Sequence, residues 1–334
     1  MAVADLNGDG QPEIVSGRHA WSVTTGLNVT QLWEADFGSD PDDDGFPAIA
    51  DLDGDARPEL IVACEWGPVR VFTFDRGRTS DATDRWGIDE FTGLWQDVAI
   101  GDFNGDGRID FVASNWGTNT PFQVADDEPL VLVHGELAIP GLTDLIETER
   151  LPGSRELTAA RSLPEIAAAM PFLLQQFSSF KEFADAPLVR VLGDRAVLSK
   201  QTSARTLEST VFLNEGDRFR PLTLPREAQM APTFGVVVTD FDGDGHEDMF
   251  IAQNFSPVRM GLDALDAGRG LLLRGTGRGA FRTMATSESG IHVNGDQRGV
   301  VARDFDQDGR IDLAISVNGK PVTILRNQSP RPGI

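Results

Sequence analysis

One acidic pattern, repeated along the chain, constrains the fold more than any other feature. It reads "DLNGDGQPEIVSG" from Asp5, "DLDGDARPELIVA" from Asp51, "DFNGDGRIDFVAS" from Asp102, "DFDGDGHEDMFIA" from Asp240 and "DFDQDGRIDLAIS" from Asp304. Counted from the first Asp, positions 1, 3 and 5 are Asp or Asn in every copy, and position 9 is Asp or Glu. Position 6 is Gly in all copies but one, where Ala56 stands. An apolar run precedes each loop, as in "PAIA" and "VVVT", and another follows from position 10. Each unit therefore reads strand, acidic loop, strand. Recurrence of one such unit is the signature of a repeat architecture.

A sixth copy has decayed. "PLVLVHGELAIPGLTDLIE" keeps the apolar flanks but places Glu136, Ala138, Pro140 and Asp144 at the four acidic positions. Two of these have no side-chain oxygen. "VFLNEGDRF" at 211–219, "LLLRGTGRGAF" at 271–281 and "VTILRN" at 322–327 read as later strands of the same units, with Gly-rich hairpin turns. The spacing suits units of four short strands. The expected fold is an all-β propeller of six or seven blades, spanning residues 1–334 as one domain. One stretch breaks the β rhythm. "SLPEIAAAMPFLLQQFSSFKEFADA", 162–186, carries a capping-box pair, Ser162 and Glu165, and prolines at first-turn positions. A helical insertion is expected within 150–187.

The loops suit a hard cation. Oxygen donors at alternating positions, with glycine permitting a tight turn, are what calcium requires. The candidate ligands are Asp5, Asn7, Asp9 and Glu13; Asp51, Asp53, Asp55 and Glu59; Asp102, Asn104, Asp106 and Asp110; Asp240, Asp242, Asp244 and Asp248; and Asp304, Asp306, Asp308 and Asp312. The backbone carbonyls of position 7, at Gln11, Arg57, Arg108, His246 and Arg310, would add one donor per loop. Up to five Ca2+ ions are expected, with none at the decayed loop. An EF-hand also begins D-x-[DN]-x-[DN]-G, but it needs a Glu at position 12 and flanking helices. Position 12 is Ser16, Val62, Ala113, Ile251 and Ile315, and the flanks are strands. Plain hairpin turns would explain the glycines but not acidic residues at fixed positions in five copies.

The overall charge agrees. The formal net charge is −23. Nucleic acid and anionic membrane surfaces are therefore poor partners, since both demand a basic face. The single cysteine, Cys64, lies in the apolar run "ELIVAC" and reads as a buried thiol; it cannot form a disulfide within the chain. No run reaches the ~18 apolar residues of a membrane span, and no signal peptide is visible at "MAVADLNGDG". The chain starts inside a repeat, with only "MAVA" before the first loop, so a complete first blade would need upstream sequence or a strand from the C-terminus. "VTILRN" is a candidate for part of the closure of the first blade.

The unit D-x-[DN]-G-D-G-x-x-[DE] between strands resembles the FG-GAP/VCBS repeats of integrin α-chain propellers and of many secreted bacterial proteins. "GDFNGDGRIDFVASNWGTN", "AMPFLLQQF" and "REAQMAPTFGVVVTDFDGDGHEDMFIAQNF", in that order, resemble the cartilage-acidic-protein-like branch. The resemblance implies a propeller whose acidic loops bind calcium through positions 1, 3, 5 and 9, in a mostly extracellular setting. It does not imply an enzymatic activity.

The expected function is thus a non-enzymatic, calcium-binding module for adhesion or assembly, extracellular or at the cell surface. Its partner is expected to be an extracellular protein or a glycan, with self-association possible. No G-x-S-x-G or H-E-x-x-H motif is present, and His19, His134, His246 and His292 are scattered. The alternative is a glycan-binding propeller or a carbohydrate-active enzyme. Trp66, Trp116 and Phe255 follow three loops at similar offsets and would supply stacking faces. Wedge packing between blades is the competing use of these rings.

Overall fold

The strand after each acidic loop is apolar at nearly every position because both of its faces are covered. In a computed structural model, which describes residues 1–6, 10–17, 19–23, 29–34, 45–75, 78–125, 128–150, 154–257 and 263–329, the strands Glu59–Ala63, Asp110–Ser114 and Asp248–Gln253 are buried throughout. Each pairs antiparallel with the strand before its loop: Phe46–Ala50, Asp97–Gly101 and Thr233–Thr239. A third strand follows on the other side (Arg70–Asp75, Thr210–Asn214, Leu271–Gly275), and then a fourth (Arg78–Asp81, Phe219–Thr223, Phe281–Thr283). The expected hairpins at 211–219 and 271–281 thus form as read.

The first sheet has the same order, from Ala2–Ala4 through Glu13–Ser16 and His19–Val23 to Val29–Glu34. The last has three strands among the described residues: Gln297–Arg303, Asp312–Val317 and Thr323–Leu325. The third of these pairs within its own sheet, Leu313 opposite Leu325 and Ile315 opposite Thr323. This corrects the expectation that "VTILRN" helps to close the first sheet, which draws its four strands from residues 2–34.

The chain divides into two compact units. Met1–Phe37, Asp43–Phe122 and Leu207–Ile334 form the first; Gly38–Asp42 and Gln123–Thr206 form the second. In the first unit, apolar side chains pack between successive sheets. Val15, Leu60, Val62, Cys64 and Phe72 share one cluster. Ile61, Trp86, Trp95, Phe111 and Phe212 share the next. Val112, Leu213, Met249 and Leu273 form a third, and Phe250, Leu313 and Ile315 a fourth. Cys64 is fully buried, as a small hydrophobe.

The second unit departs from the repeat. Its sheet runs Leu157–Ala159, Asp144–Arg150, Leu130–Gly135, Lys200–Ala204. Elsewhere the strand before the loop lies at the sheet edge; here Leu130–Gly135 is interior because Lys200–Ala204 pairs on its free side. The decayed copy is therefore not a unit of the same topology. The helical stretch also shifts: Arg150 ends a strand, and helices run Leu163–Ala167, Leu173–Gln176, Phe180–Ala184 and Leu188–Leu192. The capping box is present, with the Ser162 N–H donating to Glu165 Oε2 at 2.9 Å. Phe177 and Phe183 meet edge to face, centroids 5.2 Å apart, in a core with Val133, Ile146 and Leu173. Among the described residues no helix is long and apolar enough to cross a membrane.

Candidate metal centres

The acidic loops owe their shape to their own carboxylates. Asp51 Oδ1 accepts the N–H groups of Gly54 and Asp55 at 2.8 and 3.1 Å, and its Oδ2 accepts that of Ala56 at 2.9 Å. Asp102 does the same for Gly105, Asp106 and Gly107, and Asp240 for Gly243, Asp244 and Gly245. Asp304 accepts from Asp308 and Gly309, and Asp5 from Gly10. Positions 4 and 6 must adopt positive φ to aim these donors. Gly105 and Gly107 lie at 74° and 83°; Ala56 and Gln307 are held there too, at 66° and 63°. The loop built around position 6 thus survives without its glycine.

Position 9 anchors the far end. Glu13, Glu59, Asp110, Asp248 and Asp312 each accept the position-2 N–H, at 2.8–3.2 Å. The second oxygen of Asp110, Asp248 and Asp312 accepts from the third strand or its end, at Asn214, Gly275 and Asn327. Burial beside other acids raises the pKa of Glu59, Asp110 and Asp248. For Glu59 burial comes first, with repulsion from Asp53, Asp55 and Asp51 added, to about 7. Asp110 and Asp248 rise to about 6 by burial and the same kind of repulsion.

The geometry brings oxygens together in three loops. Asp51, Asp53 and Glu59 each offer one carboxylate oxygen within 4.8 Å of the others; so do Asp240, Asp242 and Asp248, and Asp304, Asp306 and Asp308. The donor set is oxygen alone, which fits a hard divalent cation. In the Asp102 loop, Asn104 donates through Nδ2 to Asp106 Oδ2 at 3.0 Å. In the first loop Asn7 and Asp9 lie outside the described residues; Asp5 accepts the Gly10 N–H and Glu13 that of Leu6, each at 2.8 Å. At position 7 the side chains, not only the backbone, take part: Arg57, Arg108 and Arg310 pair with Asp55, Asp106 and Asp308. The Arg57 bond holds Asp55 below the ordinary carboxylate range. His246 instead lies over Gly277, whose missing side chain leaves it room. Gln11 is exposed.

The decayed loop keeps the turn. Glu136 accepts from Gly141 at 2.9 Å, and Asp144 from Leu137 and Ala138 at 3.1 and 2.7 Å. Two carboxylates suffice for the backbone; the lost positions are those that would add donors only.

Sequence reading missed the residues that join loops to neighbouring sheets. Asn214 Nδ2 donates to the Leu52 carbonyl at 2.8 Å, and Asn327 Nδ2 to the Phe241 carbonyl at 2.7 Å. The Gly279 N–H donates to the Phe103 carbonyl at 2.8 Å. Each acceptor is position 2 of an acidic loop. An Asn at the end of an apolar third strand or shortly after it, in "VFLN" and "TILRN", was the available signal. Glu247 was also missed: it bonds the backbone of Asp102, and burial raises its pKa. Two of the three aromatic residues read as stacking faces, Trp116 and Phe255, pack against each other. Trp116 lies 5.1 Å from Phe255 and 5.5 Å from Phe122, and the Arg298 guanidinium stands 3.9 Å over Phe234. Trp66 sits in the strand Glu65–Pro68 with φ at 59°.

Residues 51–113 match the model of the FG-GAP-like repeat family. No curated protein matches the chain. Among solved structures, the chain is similar to the V. cholerae biofilm matrix protein Bap1, at 12% identity and a TM-score of 0.45, over 98% of this chain and 62% of that one. It is similar to the rhamnogalacturonan lyase YesW at 12% identity and a TM-score of 0.33, over 95% and 55%. A Bacillus licheniformis rhamnogalacturonan lyase of family PL11 matches at 12% and 0.29, over 98% and 60%. The chain thus spans less than two thirds of each of these proteins.

Proposed function

We propose that the chain is a calcium-stabilised β-propeller acting outside the cell or at its surface, as a non-enzymatic adhesion, scaffold or assembly module. The observation that carries this reading is the convergence of three carboxylate oxygens within 4.8 Å in each of three loops. The FG-GAP-like match at 51–113 covers one of the three. Like charges that close oppose folding unless a cation lies among them. Calcium is the natural choice, because it accepts six to eight oxygens in a flexible shell. Positions 1, 3, 5 and 9 would supply side-chain donors and position 7 its carbonyl. When bound, the ion supplies charge and cross-linking rather than chemistry. Loops of this kind, with affinities of ~10⁻⁴–10⁻³ M, fill outside cells. The partner is proposed to be an extracellular protein, a glycan or a second copy of the chain.

Calorimetric titration of Asp242→Ala tests the reading. One site fewer per chain than in the wild type is expected, together with lower stability. Unchanged stoichiometry would mean that the Asp240 loop binds no calcium.

A further inference from the structure

Arginines stand against the position-3 aspartates in a pattern that the repeat alone does not explain. Arg85 reaches Asp53 Oδ2 at 3.0 Å, Arg274 reaches Asp242 Oδ2 at 2.8 Å, and Arg326 reaches Asp306 Oδ2 at 3.4 Å. The other oxygen, Oδ1, faces inward and accepts the position-5 N–H in all three loops. Arg274 belongs to the third strand, Leu271–Gly275, and Arg326 directly follows the third strand Thr323–Leu325. Arg85 comes from a different element, the short helix Asp84–Trp86, fixed by the fully buried Trp86. Two structural origins thus deliver one contact. In the Asp102 loop position 3 is Asn104, and the strand register places Leu213 where Arg274 and Arg326 stand.

The charge at each loop follows. The Asp51 and Asp304 loops each hold four carboxylates and two bonded arginines. The Asp102 loop holds three carboxylates and one arginine. All three come to −2 over the ligand positions and the arginines bonded to them. The Asp240 loop has His246 at position 7, and Arg274 covers both Asp242 and Asp244; with the histidine neutral its charge is −3. As exposed ion pairs these contacts stabilise the fold little. Arg326 has 69% of its side chain in solvent.

We propose that Arg85, Arg274 and Arg326 are positioning residues that lower the negative charge of the three loops with Asp at position 3, bringing the Asp51 and Asp304 loops to −2 and the Asp240 loop to −3 around a divalent cation. Each holds the outer oxygen of that Asp and offsets its charge, which Asn104 achieves in the Asp102 loop by carrying none. The inference rests on the calcium reading above.

The test compares the wild type with Arg326→Met and Arg326→Lys, titrated with Ca2+ by calorimetry and with Tb3+ by luminescence at low salt. Removing one positive charge at ~6 Å from an ion should tighten Ca2+ binding at one site roughly tenfold, and Tb3+ by about threefold more, since attraction scales with ion charge. Arg326→Lys should return both towards the wild type. Equal affinities in wild type and Arg326→Met would overturn the proposal. So would weaker binding in Arg326→Met, which would make the arginine an organiser of the loop and not a setter of its charge. A wild type that binds neither ion overturns the calcium reading itself, and the inference with it.

Discussion

Ala56 holds φ at 66°, where its counterparts Gly107, Gly245 and Gly309 lie at 83–87°. The space around Gly107 and Gly245 is open, so the cost of a side chain there is conformational and not steric. An L-residue in this region loses about 1–2 kcal/mol, against the ~0.5–1 kcal/mol of chain entropy that glycine costs. Ala56→Gly should therefore stabilise the protein by about 0.5–1 kcal/mol, and Gly107→Ala should destabilise it by a similar amount, both read from urea midpoints. The sequence flags Ala56 as a weak point, and the backbone confirms the strain while showing that the loop still forms. The position-9 acids give a second prediction. Three of them have a raised pKa in the metal-free fold, about 7 for Glu59 and about 6 for Asp110 and Asp248. A carboxyl raised on folding binds more protons in the native state, so the metal-free protein should lose stability as pH rises from about 4 to about 7. Calcium needs the same groups ionised, so its apparent affinity should fall as pH is lowered below about 7. Melting curves from pH 4 to 8, with and without calcium, should show opposite slopes.

At the scale of elements, the sheets are joined by polar latches as well as by apolar packing. Asn214 is buried, and its side chain donates to the carbonyls of Leu52 and Ile109, while its Oδ1 accepts from Gly216. Asn214→Ala leaves the two carbonyls short of a donor, which should cost about 1–3 kcal/mol. Asn318→Ala, in an exposed turn, serves as the control and should change stability by less than ~0.5 kcal/mol. The strand–loop–strand units were legible because the apolar runs and the Asp spacing are local. The latches were not, because Asn214 and Leu52 are 162 residues apart. The second unit was misread for a related reason. "PLVLVHG" looks like the strand before any other loop, but Lys200–Ala204 pairs on its free edge, and nothing near residue 130 records that partner. The capping box at Ser162 and Glu165 was a local signal and marked the start of the helices, whereas their continuation to Leu192 depends on Leu188, Val191 and Leu192 entering the second unit's core.

At the scale of the whole molecule, the charge of −23 and the repeated loops are two aspects of one design. Five calcium ions would offset ten of those charges, and they would do so where the carboxylates crowd. The central claim is that the loops are calcium sites that hold the fold together. Each site filled at a hundredfold excess over Kd stabilises the native state by about 2.7 kcal/mol. The most direct measurement is the melting temperature of the intact chain in EDTA and in millimolar calcium at pH 7.5. The account predicts a markedly higher melting temperature with calcium, reversed by chelator; equal melting temperatures in the two conditions would contradict it and leave the acidic loops as turns.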